Sequence, residues 1–409
     1  MDESGKENGQ VVKRYGFVVV GGGIVGTSLA YALSCLGRRT LLVEKDFVAS
    51  GCTGLSAGTI ACAGLGNGKD PDLTASHHTR EMLRCLTNEG WDAGYEETGA
   101  LQLALNEKEK VYMKNKYTWL LLNQYTAQFL NDYSSVKSIE PAISEVCKAA
   151  LLLPLSGHVD PQLASQAFAD AAAARGAKIL EQTEATCISD EATNTSGVVV
   201  SLSDKTERKK WDVVADHVIV ATGGVPTSIL PGPGKRMPKI VPVKGTIWIT
   251  SEPLPTSTLR HVIYISESSK YWSENPHVSP PVTHDAHTGK KLVTHAYGKQ
   301  MRDGRIMFGG DRIPITSESK VAGSEADRVR AHIDYVGSFL PVVKSAKEHP
   351  NGVTDSWTGV MPFSGHGYRH VCTKLSDRVH FLGGFGSHGV MHGPGYAKMF
   401  VDSVVGNTE

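Results

Sequence analysis

The stretch Tyr15 to Asp46, YGFVVVGGGIVGTSLAYALSCLGRRTLLVEKD, decides the fold. Phe17 to Val20 is a short apolar, β-branched run of the kind found in strands buried on both faces. Gly21-Gly22-Gly23-Ile24-Val25-Gly26 follows, a G-x-G-x-x-G string where a strand should turn into a helix. Leu29, Ala30, Leu33 and Leu36 then recur at helical spacing, and Gly37 stands where a helix should stop. Arg39 to Val43 reads as a second apolar strand, ending in Glu44. The glycines differ in what they permit. Gly21 allows the tight turn, Gly23 lets backbone approach a pyrophosphate, and Gly26 lets helix and strand pack closely. The helix N-terminus offers free N–H groups to phosphate. Glu44, 18 residues after Gly26, places a carboxylate for the adenosine ribose hydroxyls and would repel a 2′-phosphate. The unit predicts a dinucleotide site that disfavours NADP.

Bulk properties narrow the class. The 409 residues are enough for two domains, and Lys+Arg equals Asp+Glu at 42 each, so neither nucleic acid nor an anionic membrane is indicated as a partner. The seven cysteines are scattered and include no C-x-x-C, which fits a reducing compartment and argues against a disulfide scaffold or zinc ribbon. No apolar run reaches the roughly 18–20 residues of a membrane span. The polar start, MDESGKENGQ, is unlike a signal or transit peptide and reads as a disordered lead-in. A cytoplasmic location is the expectation, with a mitochondrial one also compatible.

Further along, Ala49 to Thr59 is rich in hydroxyls and glycine and suits close approach to a ligand. Helices are expected over 77–98 and 107–131, with a strand between them at 99–105. The apolar and aromatic content of the second helix, through Tyr117, Trp119, Leu120, Leu121 and Tyr125, reads as core. Gly157-His158-Val159-Asp160-Pro161 opens a helix over 161–175, followed by a strand at 178–180 and a β-meander over 185–212. His217 to Gly224 is an apolar strand ending in a second glycine-rich turn. Residues 236–315 read as β-rich, interrupted at 268–289 by a surface loop. A helix at 324–340, a strand from Val379 closing in Gly383 to Gly389, and a final helix from about Gly395 complete the chain.

In order, these pieces resemble the FAD-dependent amine and amino-acid oxidoreductases of the D-amino-acid oxidase, glycine oxidase, sarcosine oxidase and dimethylglycine dehydrogenase type. The motifs are Gly21 to Glu44, Ser56 to Gly58, Gly99 to Leu101, Gly157 to Pro161, Ala221 to Gly224, Pro242 to Gly245, Tyr297 with Gly309-Gly310, and Gly384 to Gly395. The resemblance implies an α/β fold: a discontinuous Rossmann-like FAD-binding domain over 12–76, 151–235 and 352–409, and an antiparallel-sheet α+β substrate or cap domain over 77–150 and 236–351. It implies that Gly21, Gly23, Ile24, Val25 and Gly26 hold the pyrophosphate end, with Glu44 and Lys45 at the ribose. Ser56, Ala57, Gly58, Thr59, Ala185, Ala221, Thr222, Gly223 and Gly224 then line FAD, as do Gly384, Gly386, Ser387, His388, Gly389 and Val390. The flavin in such enzymes takes a hydride from the amine-bearing carbon, so the protein mainly orients substrate and tunes the flavin.

Departures from the family pattern shape the expectation further. Gly54-Leu55 stand where dimethylglycine and sarcosine dehydrogenases carry a histidine for covalent flavin attachment, and Trp357 to Pro362 offers no cysteine, so FAD is expected to be non-covalent. The Gly-x-Arg-Pro arginine that forks onto a substrate carboxylate is replaced in Gly359-Val360-Met361-Pro362; Arg302, Arg312 or Lys244 is left to supply that cation. Met307 stands where monomeric sarcosine oxidases hold a lysine to activate oxygen, which favours a dehydrogenase over an oxidase. His388 beside the flavin and Tyr297 toward substrate are the candidate catalytic residues. Gly389 and Pro394 argue against His392 sharing a helical face with His388, no metal site is expected, and His284, His287 and His295 read as surface-loop residues. Cys52 and Cys62 read as small buried thiols. The function expected is oxidation of a C–N bond of a small amine or amino-acid derivative, with the electron acceptor open. An FAD-binding assembly protein and a 2-hydroxy-acid or glycerol-phosphate dehydrogenase are the competing readings.

Overall fold

The computed structural model describes residues 5–7, 10–190, 196–224, 229–230, 238–266, 282–284, 291–293, 295–314, 325–347, 355–364 and 371–405. Phe17 to Val20 forms the end of the strand Gln10–Val20, in the middle of a nine-stranded sheet. This strand pairs in parallel with Thr40–Val43 on one side and Lys210–Val220 on the other. Lys178–Leu180 continues the parallel set beyond Thr40–Val43, and Val379–Gly383 pairs in parallel with the end of Lys210–Val220. Thr183–Ser189, Val198–Asp204 and Lys210–Val220 make the expected antiparallel meander. The helix Ile24–Cys35 packs against both Pro161–Ala174 and Gly389–Val405 over a core that includes Leu29, Leu33, Phe168 and Phe400. Gly37 ends the first helix at φ +65°, with its N–H on Ser34 O and that of Arg38 on Leu33 O.

Four strand ends therefore meet at one edge of this sheet. Gly21 N–H donates to Val43 O and Ala221 N–H to Val20 O, both at 2.8 Å, and Gly384 N–H reaches Gly223 O at 3.4 Å. Open α/β sheets bind ligands at such carboxyl ends.

A second, eight-stranded sheet runs in the order Ser356–Ser364, Ile240–Ile249, Ile306–Pro314, Tyr297–Gln300, Val262–Ile265, Ala100–Ala104, Ala149–Leu153 and Gln128–Leu130. Neighbours are antiparallel except Val262–Ile265 with Ala100–Ala104, which is parallel. Trp248, Phe308 and Phe339 lie in the core between this sheet and the helix Glu325–Phe339.

Several elements depart from expectation for local reasons. The helix expected from residue 77 is Pro71–Asn88: Asp70 caps it by accepting from Asp72 and Leu73 N–H, with Pro71 in the first turn. It packs on Gly389–Val405. The helix expected to reach 131 is Glu107–Leu122, stopped ahead of Gln124 at φ +64°. Its Leu120 is buried as expected, but Trp119 is 46% exposed and stacks on Tyr125 instead of filling the core. The lead-in read as disordered contains Gly5–Glu7, which pairs antiparallel with Gln10–Val12 and occupies backbone groups of an otherwise open strand extension. Within the expected 268–289 loop, Val282–His284 pairs with Lys291–Val293; the rest of that loop, His287 included, lies outside the described residues.

Candidate active site

The site starts from the glycine turn. Gly21 has φ +112°, and a Cβ there would meet Ala221 O at 2.7 Å. A Cβ on Gly26 would stand 1.8 Å from Gly21 O, so the helix can lie on its strand only with glycine there. Gly22, for which the sequence pattern gives no role, is needed because Glu44 folds back over it: a Cβ would meet Glu44 Cβ at 2.8 Å. Glu44 braces the turn, accepting from Gly22 N–H at 2.6 Å on Oε2 and from Asp46 N–H at 2.8 Å on Oε1. Each oxygen keeps a second lone pair for a ribose hydroxyl. Gly23 caps the helix with no side-chain hydrogen bond of its own, while Thr53 Oγ1 accepts from Ile24 N–H at 3.1 Å.

The strand ends and the hydroxyl-rich loop enclose a cavity of about 810 Å³, within the roughly 300–1,000 Å³ of small-molecule and cofactor sites. Gly21, Gly23, Ile24, Val25, Glu44, Lys45, Ser56, Ala57, Gly58, Thr59, Ala185, Ala221, Thr222, Gly223, Gly224, Gly384, Gly386, Ser387, Gly389 and Val390 all line it; Gly26 and His388 do not. Asp46, Cys52, Thr53, Thr183 and Ile229 also line it. Thr53 lies in the hydroxyl-rich loop already noted, whereas no motif marks Thr183 or Ile229. Burial pushes the Cys52 thiol up to about 11. A bare helix N-terminus, a glycine cradle and a carboxylate at the ribose position are the donor and acceptor set that a dinucleotide such as FAD needs.

The far end of the cavity is closed by the second sheet through Gly245, Ile247, Tyr297, Gly359, Met361 and Pro362. Cross-strand partners share a sheet face. Tyr297, Gly309, Ile247 and Trp357 form one row and Arg312, Gly245 and Gly359 the next. A Cβ on Gly309 would meet the Tyr297 hydroxyl at 3.0 Å, and one on Gly310 would stand 1.6 Å from His295 O, so this glycine pair makes room for Tyr297 and for the segment before it. Burial raises the Tyr297 phenol, opposed by the Arg312 charge and its hydrogen bond.

Register also sorts the three candidate cations. Arg302 is partly exposed and bound to Asp92 and Glu96 at 3.1 and 3.0 Å. Lys244 pairs across to Ile313 and Val360, on the opposite face from Gly245. Arg312, only 5% exposed, is the one beside Tyr297.

The histidines need correction. His295 is buried, not a surface residue. Trp248 Nε1–H donates to His332 Nδ1 at 2.8 Å, leaving His332 Nε2–H to donate to His295 O at 2.9 Å. His388 and His392 do share a face: their rings stack at 5.3 Å, 11° from parallel, because the last helix begins at Gly389 and continues through Pro394. Ser387 and Gly389 line the cavity on either side of His388. Among the described residues no group of three or more His, Cys, Asp or Glu is placed to hold a metal.

Buried neutral histidines make acid stability a test of this region. Burial holds His295 well below its usual range, His332 at about 4 and His158 at about 3. The unfolded chain then binds protons that the folded chain refuses, so stability is complete above the unfolded value and falls as pH drops from there toward the folded ones. The thermal midpoint is expected to fall between pH 6.5 and 4, at about 1.4 kcal/mol per histidine per pH unit. A midpoint flat across that window would contradict neutral burial.

A glycine-cradled dinucleotide cavity closed by a largely antiparallel sheet defines a class of flavoprotein oxidoreductases. The chain belongs to the DAO family of FAD dependent oxidoreductases, whose model matches residues 17–403, and FAD is its cofactor. It is 24% identical to glycine oxidase from Bacillus licheniformis, over 97% of this chain and 94% of that one. Among solved structures it is similar to L-proline dehydrogenase from P. horikoshii, with TM-score 0.76 and 22% identity over 97% of this chain and 94% of that one. FAD-bound L-alpha-glycerophosphate oxidase from Mycoplasma pneumoniae gives TM-score 0.71 at 19% identity, over 95% and 94%. No helix among the described residues is long and apolar enough to cross a membrane.

Proposed function

We propose that this chain oxidises a C–N bond of a small amine or amino-acid derivative, with FAD held non-covalently along the cavity. The observation that carries the reading is the pair Tyr297 and Arg312 at the closed end, beside Ile247 and Met361. FAD, when bound, supplies the hydride acceptor. Arg312 donates to the Tyr297 oxygen and so strengthens Tyr297 O–H as a donor toward an anionic group on the substrate. Ile247, Met361 and Pro362 exclude water from the reacting end. His388, flanked by the cavity-lining Ser387 and Gly389, in this reading offers a hydrogen-bond donor to the flavin end of the cavity. In this reading residues 12–76, 151–235 and 352–409 form the FAD-binding domain and 77–150 and 236–351 the cap, except that Ser356–Ser364 belongs to the sheet of the cap and the helix Pro71–Asn88 crosses the boundary to pack on Gly389–Val405.

Anaerobic mixing of the yellow protein with a panel of primary, secondary and N-methyl amino acids is expected to bleach the visible flavin band. Bleaching by 2-hydroxy acids or glycerol phosphate instead would favour the second reading, which the likeness to the glycerophosphate oxidase fold supports. Bleaching by nothing would favour an assembly role. Tyr297→Phe is expected to raise KM for a carboxylate-bearing substrate roughly tenfold, for loss of a hydrogen bond to a charged group worth about 1.5 kcal/mol, with FAD content unchanged. An unaltered KM would remove Tyr297 from the substrate site. Acid precipitation should leave a colourless pellet and a yellow supernatant, since the Cys52 thiol stays protonated and no histidine stands ahead of Ser56. Met307 is buried among Ala57, Ile247 and Ile249 and brings no charge to the flavin loop, which supports a dehydrogenase passing electrons to an acceptor other than oxygen.

A further inference from the structure

We propose that a second cavity, behind Lys299, is a binding site for a small oxyanion of the phosphate or carboxylate type that acts on the cofactor loop. It needs bound FAD but no turnover, so it stands whichever substrate reading holds. The cavity measures about 280 Å³ and shares no lining residue with the cofactor cavity. That is room for about nine waters at roughly 30 Å³ each, enough for a small hydrated anion. Lys299 lies two residues beyond Tyr297 on Tyr297–Gln300, so one strand face serves both cavities.

The charge at this cavity is unbalanced. Lys299 is 5% exposed, and its ammonium has one hydrogen bond, to Val159 O at 2.6 Å, out of three possible. No carboxylate among the described residues lies within ion-pair distance of it. The acids that act on it from further off are Asp160 and Glu96, and Glu96 itself lines the cavity together with its partner Arg302. Asp160 caps the helix Pro161–Ala174 through Gln162 and Leu163 N–H, and Glu96 takes Arg302 at 3.0 Å. Arg260 lines the cavity; its backbone N–H donates to Glu140 at 2.8 Å, and among the described residues its guanidinium makes one contact, at 3.5 Å to Ile139 O. His261 is balanced by Glu140 at 3.0 Å, and His158 is neutral, with Nε2 3.9 Å from Glu96. Thr256 and Ser257 complete a polar wall. Two cations that have no acid partner among the described residues, beside hydroxyl-bearing ones, suit an anion with several oxygens. Burial lowers the Lys299 ammonium to about 8, and a bound anion would raise it again.

The route to FAD is short. Lys299 holds Val159 O, Val159 N–H donates to Gly58 O at 2.8 Å, and Gly58 lines the cofactor cavity. A Cβ on Gly58 would stand 2.3 Å from Val159 O, so there is no slack between the two segments. An anion that draws the ammonium away from Val159 O therefore shifts the backbone against the flavin.

The test titrates the FAD-loaded chain with inorganic phosphate and, separately, malonate, at ionic strength held constant with chloride. Calorimetry reads binding, and the visible flavin difference spectrum reads coupling. One equivalent of at least one anion should bind and perturb the spectrum, and the arm that binds tighter identifies the source. Lys299→Met should weaken binding at least tenfold. Arg260→Gln, a rim change that leaves the buried wall intact, should weaken it several-fold with FAD content unchanged. Saturable binding of neither anion, or binding unaltered in Arg260→Gln, would overturn the site. Binding without a spectral change would overturn the coupling.

Discussion

Gly26→Ala is expected to yield protein that purifies without FAD. The added Cβ would lie 1.8 Å from Gly21 O, a backbone atom at the floor of the glycine turn. It cannot rotate aside, because both partners are main chain inside a close-packed core. Either the helix Ile24–Cys35 lifts from its strand or the turn opens, and both movements misplace the N–H groups that face the pyrophosphate. Overpacking of this kind costs on the order of 1–3 kcal/mol or more. The ratio of visible to protein absorbance should fall to near zero, with a lower thermal midpoint. Gly37→Ala is the control: nothing lies within 4 Å of its Cβ, only the φ of +65° is strained, and about 1 kcal/mol of stability should go with FAD retained. Stoichiometric FAD in the Gly26 variant would show that close packing is not what the turn requires.

Gly310→Ala is expected to keep FAD and lose turnover. Its Cβ would stand 1.6 Å from His295 O and 2.8 Å from His332 Nε2, far from the glycine cradle. The strand Ile306–Pro314 must then move away from His295, and Tyr297 and Arg312 move with it. A shift of about 1 Å in a positioning group can cost roughly 100-fold in rate. The anaerobic rate of flavin reduction by the best amine should fall by about that factor while the FAD-to-protein ratio is unchanged. A wild-type rate would separate Tyr297 placement from the glycine pair and weaken the assignment of this end of the cavity to substrate. Together the two variants divide cofactor binding from chemistry.

What could be read from the sequence followed the range of the forces involved. Gly21 to Glu44 was legible because strand, turn, helix and cap each obey rules acting over a few residues, and the helix end at Gly37 matches in its hydrogen bonds. Gly22 was not, since its need arises only when Glu44 folds back from the neighbouring strand. His295 reads as a surface residue because it follows the polar 268–289 stretch, whereas it is buried with its carbonyl held by His332 of the distant helix Glu325–Phe339. The stacking of His388 on His392 is not legible because Pro394 reads as a barrier, whereas the last helix, Gly389–Val405, continues through it and forgoes the bond that Pro394 cannot donate. The choice among Arg302, Arg312 and Lys244 needed the register of three strands, including the irregularity between Thr246 and Ile247. No local pattern encodes that register.

The meeting of four strand ends also sets an order of events during synthesis. Val20 and Val43 emerge early and pair at once, but Lys210–Val220 joins them only after the intervening chain, and Val379–Gly383 arrives later still. Until then Val218 to Val220 presents an apolar strand edge with no neighbour on one side, the kind of surface on which nascent chains associate wrongly. FAD captured by the early glycine turn alone would lack the wall from Gly384 to Val390. Completion of the cofactor cavity is therefore a late step, because its first-made wall, from Gly21 to Val25, and its last-made wall, from Gly384 to Val390, meet only once the last strand is in place.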